Sequence, residues 1–257
     1  MLIAGCGGGS ISPNVPVRPI GSDNSDSRGR QIVDEYLKRD AAPFRKNRIR
    51  FTVTEEGEAP KVYEIDTWRK QMADETTTLT QIVAPPEDSG TSTLTLEAKG
   101  KKTVVVTYAA SRDEFRETDT NKMFFGGLTA GELLGEWEKF DYKFIGESEV
   151  GGGKVFEIEG KLKPDADSVV SRTTAIFRAD NYVLREMHLF GGNGEEIRTY
   201  KTVSIKDDRA HPYASRVEVD NRVYRSHIVI DVLNREYPAN IDDSMFAKEK
   251  LKLGVRK

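Results

Sequence analysis

Cysteine is all but missing from this chain of 257 residues: there is one, Cys6. A lone cysteine forms no intramolecular disulfide and builds no cysteine-based zinc cluster. Long apolar runs are missing too, and none approaches the ~20 residues that a membrane-spanning helix requires. Nor does one sign of charge dominate, since 39 Lys and Arg face 42 Asp and Glu for a net charge of -3. Without a basic block, nucleic acid is excluded as the main partner. Histidine is down to His188, His211 and His227, and none has a metal ligand's spacing such as His-Glu-x-x-His. The apolar share is low at 37%, but an aromatic content of 9% rules out a wholly disordered chain.

Catalytic signatures fail in the same way. Gly151-Gly152-Gly153-Lys154 resembles a phosphate loop only faintly, because Ser148 stands where the first glycine belongs and Val155 where Ser or Thr belongs. The acidic pairs Glu55-Glu56, Glu195-Glu196, Asp207-Asp208 and Asp242-Asp243 fall in turns or at a helix start, where solvation and capping account for them. No Gly-x-Ser-x-Gly elbow occurs, and no cysteine lies near a histidine. The expectation is a protein that is not an enzyme and takes no cofactor or metal.

What the sequence does have is β periodicity. Residues 28–39 first place Ile32, Val33, Tyr36 and Leu37 on one face of a short helix. After Pro43 the period becomes two, with Ile49, Phe51 and Val53 alternating with Arg48, Arg50, Thr52 and Thr54. Further strands are predicted over 61–71, 76–83, 91–97, 102–109, 140–147, 154–163, 171–178, 182–190, 196–205, 213–219 and 222–233. Midway, Thr129 and Glu132 have capping-box spacing and open a short helix that ends near Trp137. A helical tail covers 242–250. Roughly a dozen strands joined by tight turns, with no repeat and no second linker, predict one antiparallel meander that curls strongly.

The first ten residues read MLIAGCGGGS. Apolar residues, then Ala4-Gly5-Cys6, then a Gly/Ser run resemble the lipobox of a bacterial lipoprotein signal, truncated here of its basic region and most of its apolar core. The resemblance implies a diacylglycerol on the Cys6 thiol and a lipid anchor in the membrane. Gly7 after it implies an outer-membrane destination facing the periplasm. The alternative is a free cysteine in a floppy N-terminus. Residues 7–28 are rich in Gly, Ser, Pro, Asn and Asp and are expected to form a disordered tether reaching roughly 25 Å. The division is therefore 1–28 signal and tether, 29–257 folded domain.

Four landmarks fall in order within that domain. Pro85-Pro86 through Ser89-Gly90-Thr91 leads to Leu94, and Val106-Thr107-Tyr108 is followed by Arg112 and Arg116. Phe124-Phe125-Gly126-Gly127-Leu128-Thr129 leads to Glu132-Leu133, and the chain closes with 228–234, Ile241 and 246–251. Together they resemble the periplasmic lipoprotein-carrier superfamily, specifically the LolA-like outer-membrane lipoprotein-sorting proteins. Val106 stands where the family has a strand Trp, and no position receives the carrier's functional arginine.

The resemblance implies a mainly β fold: an unclosed β-barrel, a single curved antiparallel sheet of roughly 11–12 strands whose concave face is covered by short helices. It also implies an apolar cavity for acyl chains. The inward set chosen from alternation is Ile49, Phe51, Val53, Tyr63, Ile65, Leu94, Leu96, Val104, Val106, Tyr108, Phe156 and Ile158. The lid set is Phe124, Phe125, Leu128, Leu133 and Leu134. Taken singly each residue also fits a filled core; as a set they fit a cavity. The leading expectation is a membrane-anchored envelope lipoprotein that holds lipid or a lipoprotein's acyl chains, in lipoprotein or lipid sorting. The alternative is an accessory envelope module that docks a protein partner, such as a transporter, without carrying lipid.

Overall fold

The computed structural model describes residues 22–39, 42–206 and 211–252. Helix α1 (Ser22–Lys38) leads into strands β1 (Phe44–Glu55), β2 (Lys61–Gln71), β3 (Glu75–Ala84), β4 (Ser92–Ala98), β5 (Val104–Ala109) and β6 (Glu114–Thr118). An insert, 119–139, carries helix α2 (Ala130–Leu134). Then come β7 (Phe140–Val150), β8 (Gly153–Leu162), β9 (Arg172–Arg178), β10 (Leu184–Phe190), β11 (Glu196–Lys206), β12 (Tyr213–Asn221) and β13 (Ser226–Glu236). Helix α3 (Lys248–Lys252) ends the described chain.

All thirteen strands form one antiparallel, unclosed sheet in the order β6-β5-β4-β3-β2-β1-β13-β12-β11-β10-β9-β8-β7. Every neighbour is sequential except β1 and β13, so two meandering wings are sealed in the middle by the first and last strands. The thirteenth strand, beyond the dozen expected, is β6. Its sequence Glu-Phe-Arg-Glu-Thr lacks apolar alternation, and backbone pairing with β5 alone defines it. Both edges carry charge, with Glu114, Arg116 and Glu117 on β6 and Lys143, Glu147 and Glu149 on β7. Such charges discourage another chain from adding a strand.

Helix α1 begins at Ser22, so residues 22–28 are helical rather than tether. Tertiary contact is the reason: Ser25 is buried, Arg28 bonds Glu147 at 2.6 Å, and its guanidinium lies 4.7 Å from the Phe144 ring centroid. Cys6 and the rest of the expected tether lie outside the described residues. The helix packs on β7 because Gly29 meets that strand's backbone directly. A Cβ there would stand 2.8 Å from the Lys143 carbonyl carbon and from the Phe144 nitrogen. Backbone cannot step aside as a side chain does. Gly29→Ala is expected to loosen α1 and to cost about 1–3 kcal/mol in urea denaturation.

Cross-strand partners run unbroken from Val53 through Ile228, Val219, Tyr200, Met187, Ala175 and Ile158 to Phe144. That row marks the inner face. Over its β7–β11 half, Ile32 and Val33 of α1 pack with Trp137, Phe140, Tyr142, Phe144 and Phe177. Over its centre, Leu128 of the insert packs with Phe51, Val53, Ile65, Val219 and Ile228. Helix α3 departs from the expected arrangement, since it packs on the outer face. There Leu251 joins Leu79, Leu94 and Tyr108, and Lys70 pairs with Asp243.

Candidate ligand-binding face

The inner face is apolar beneath the insert and polar beyond it. Phe125 sits between Phe51 and Tyr63, with ring centroids 4.8 and 4.7 Å away, and Leu128 is fully buried. The insert reaches the sheet at Gly126 and Gly127, whose φ values of 63 and 83 lie in the left-handed region. A Cβ would stand 2.8 Å from Ile228 Cδ1 at the first and 2.4 Å from the Tyr224 ring at the second. Only glycine combines that backbone with that approach.

Polar groups of the sheet hold the insert down. Asn221 Nδ2 and Ser226 Oγ donate to the Gly126 carbonyl at 3.0 and 2.8 Å. Arg198 Nη2 donates to the Gly127 carbonyl at 2.6 Å, and its Nη1 donates to Glu132 Oε1 at 2.8 Å. The Tyr200 hydroxyl donates to the same carboxylate oxygen at 3.3 Å. Burial, with Glu132 beside it, pushes that hydroxyl well above its ordinary pKa, so it stays a neutral donor. The other oxygen, Glu132 Oε2, accepts from Thr129 N and Oγ1, both at 2.8 Å, while Thr129 Oγ1 accepts from Glu132 N. The predicted capping box is therefore formed. One carboxylate both starts α2 and ties it to β11.

Beyond the insert the inner row changes character. Asn47, Thr67, Thr80, Thr93 and Thr107 are successive cross-strand partners. Asn47 Nδ2 donates to Thr67 Oγ1 at 3.1 Å, and the Thr93 and Thr107 hydroxyls are 3.2 Å apart.

The sequence-chosen cavity set divides between the two faces. Ile49, Phe51, Val53, Tyr63 and Ile65 lie together against Phe125 and Leu128. Phe156 and Ile158 lie on the same face but pack in the cluster around α1. Leu94, Val106 and Tyr108 belong instead to the outer cluster around Leu251. Leu96 and Val104 are paired on that outer face and exposed. The correction has a plain cause: in β4 and β5 the side buried by α3 carries Leu94, Val106 and Tyr108, and the inner side carries Thr93, Thr95 and Thr107 beside a single buried valine, Val105. Alternation reports burial, not which face is buried. Of the lid set, Phe125 and Leu128 sit on the inner face, and Phe124 is half-buried with its ring 6.3 Å from that of Phe125. Leu133 points away and is 42% exposed, so it is not part of the covering contact. Leu134 is the last residue of α2. Arg198 was not singled out in the sequence, where nothing marks it apart from the other arginines of its strands.

A protein-family model described as "uncharacterized protein" matches residues 74–253. The chain belongs to that family. Solved structures give its fold. A DUF1329 family protein from Desulfovibrio piger superposes with a TM-score of 0.82 at 15% identity, covering 88% of this chain and 99% of that one. A putative outer membrane lipoprotein-sorting protein domain from Vibrio parahaemolyticus gives 0.80 at 14% identity, covering 88% and 99%. A LolA superfamily protein from Nitrosomonas europaea gives 0.70 at 10% identity, covering 86% and 98%. The fold is LolA-like, as the order of landmarks implied. No curated protein matches the chain.

Proposed function

We propose that this family member is a non-catalytic carrier of the cell envelope that binds acyl chains, of a lipid or of a lipoprotein, against its inner face when the insert lifts. One observation carries the reading: two apolar side chains, Phe125 and Leu128, occupy the apolar part of the inner face on a segment held by a few polar bonds. An acyl chain can replace such side chains without any specific polar contact, since burial returns ~0.8 kcal/mol per CH₂. The sorting role named for the Vibrio parahaemolyticus domain is compatible with this chemistry. Lipidation at Cys6, with an outer-membrane anchor facing the periplasm, belongs to the same proposal.

A fluorescent C16 fatty acid titrated into the purified full chain tests it. Phe125→Ala removes the ring lying between Phe51 and Tyr63 and weakens the closed state. A ligand that competes with the insert should then bind several-fold tighter. No binding by either form at probe saturation would overturn the reading. Mass spectrometry of the N-terminal peptide from a bacterial membrane fraction tests the anchor, with a diacylglyceryl-modified Cys6 as the expected species.

A further inference from the structure

The apolar strip on the outer face is longer than its cover. Trp68, Leu79, Leu94 and Val106 are successive cross-strand partners, and Met245, Phe246 and Leu251 pack with them. The neighbouring row runs from Lys70 through Thr77 to Leu96 and Val104. Asp243 reaches Lys70, but Leu96 and Val104 stand side by side, 42% and 36% exposed. Just beyond them the β4–β5 turn carries Lys99, Lys101 and Lys102, all exposed. None of the three side chains has a hydrogen bond or an ion pair with another described residue. Glu138 feels the charge of Lys99 but is itself paired with Arg30.

The turn is braced. Lys99 N donates to the Asp74 carbonyl at 2.9 Å, and Lys101 N donates to the Ala98 carbonyl at 3.0 Å. It therefore lies against the β2–β3 turn, where Met72 is 56% exposed. There Met72 lines an open recess of about 450 Å³ with Pro43, Phe44, Gln71 and Ala73. Asp74 and Glu75 are exposed on that turn, whereas Glu97 faces Arg69 on the inner side. On α3, Lys248 and Lys250 outnumber Glu249. A chain of net charge -3 thus gathers a local excess of positive charge beside uncovered aliphatic side chains.

Charge decides what covers them. The chain's own end, 253–257, reads LGVRK and brings two more positive charges. A second copy in a two-fold contact sets lysine against lysine. Both are repelled, and an anionic surface is attracted. Lysines on a bare turn suit a layer of charged headgroups, which asks only for proximity. A protein interface favours arginine and is depleted of lysine. Long lysine stems also let the ammonium groups stay among headgroups while neighbouring apolar side chains sink below them.

We propose that the β4–β5 turn, with Leu96, Val104 and Met72 beside it, docks this protein on an anionic lipid bilayer. Leu96 and Val104 lie on the opposite side of the sheet from the acyl-binding face, so neither proposal depends on the other.

Flotation of the purified full chain, unmodified at Cys6, with vesicles tests it. One set is phosphatidylcholine alone, and the other contains about one third phosphatidylglycerol. The anionic vesicles should bind at least about tenfold more tightly, and the excess should fade as salt rises. Lys101→Glu with Lys102→Glu should abolish the preference, each lysine near an anionic leaflet being worth about fivefold. The thermal midpoint should not move, since neither side chain is bonded within the fold. Leu96→Ser with Val104→Ser should weaken binding several-fold at every salt concentration. No binding to either vesicle, equal binding to both, or native affinity in the charge-reversed variant would each overturn the proposal. So would three other results, each naming a different occupant. Polyglutamate binding as tightly as the anionic vesicles would point to an acidic protein. Vesicle binding that rises when 253–257 are deleted would point to the chain's own end. A dimer in light scattering that Leu96→Ser disperses would point to a second copy.

Discussion

Arg198→Ala is expected to release the insert from the sheet and to cost about 3–5 kcal/mol of stability, the range for removing one partner of a buried ion pair. The side chains of Arg198 and Glu132 are 3% and 9% exposed, so the carboxyl left behind loses its ion partner with little water to replace it. The Gly127 carbonyl loses its 2.6 Å donor at the same time. Urea denaturation gives the magnitude, and hydrogen exchange over 124–134 shows where the loss falls. Exchange there should accelerate well before the rest of the sheet does. The double variant Arg198→Met with Glu132→Gln is the control. It leaves no buried charge unpaired and keeps an acceptor for the Thr129 cap, so most of the loss should return. A cost below 1 kcal/mol for Arg198→Ala would show that the apolar contacts of Phe125 and Leu128, not the ion pair, hold the insert.

Phe177→Ala is expected to cost as much, about 3–5 kcal/mol, by a different route. Phe177 is fully buried on β9, and its ring lies 5.4 Å from Tyr36 and 6.0 Å from Trp137. It therefore joins three separate pieces of chain: α1, the end of the insert, and the sheet. The hole would be lined by rings that cannot collapse into it without moving α1. Thermal unfolding and the near-ultraviolet dichroism of Trp137 measure the effect, and Phe177→Leu should recover a large part of it. An unchanged Trp137 signal in the alanine variant would mean that the ring cluster does not couple α1 to the insert.

Much of this architecture was legible in the sequence, and the parts that were not share a physical cause. Period-two apolar alternation in 49–53, 61–71 and 154–163 located strands because one side of each is buried. The Thr129 and Glu132 spacing located α2 because capping is local chemistry. Strand β6 was missed because its side chains, Glu114, Arg116 and Glu117 among them, carry no alternation. The start of α1 was missed because Arg28 is ordered by its bond to Glu147 of β7, over a hundred residues away, and Ser25 by burial. Leu94 and Val106 were placed on the wrong face because alternation is silent about which side a distant helix covers. The polar group that pins the insert was the least visible. Arg198 sits in a strand already rich in charge, and only register shows that it turns inward.

The seam between β1 and β13 has a consequence for how the molecule is made. Each wing is a run of hairpins between neighbours in sequence, the kind of local pairing that forms in about 1–10 μs. The seam joins Lys46 to Glu236 and Glu55 to Ser226, so nearly the whole chain must be synthesised before it can close. It is thus a late event, at the centre of the sheet rather than at its rim. Until then β1 and β13 are free edges bearing Phe51, Val53, Ile228 and Ile230. Two newly made chains at high concentration can each offer one wing to the other's. The domain-swapped dimer, sealed along β1 and β13 in trans, is the misassembly this topology favours.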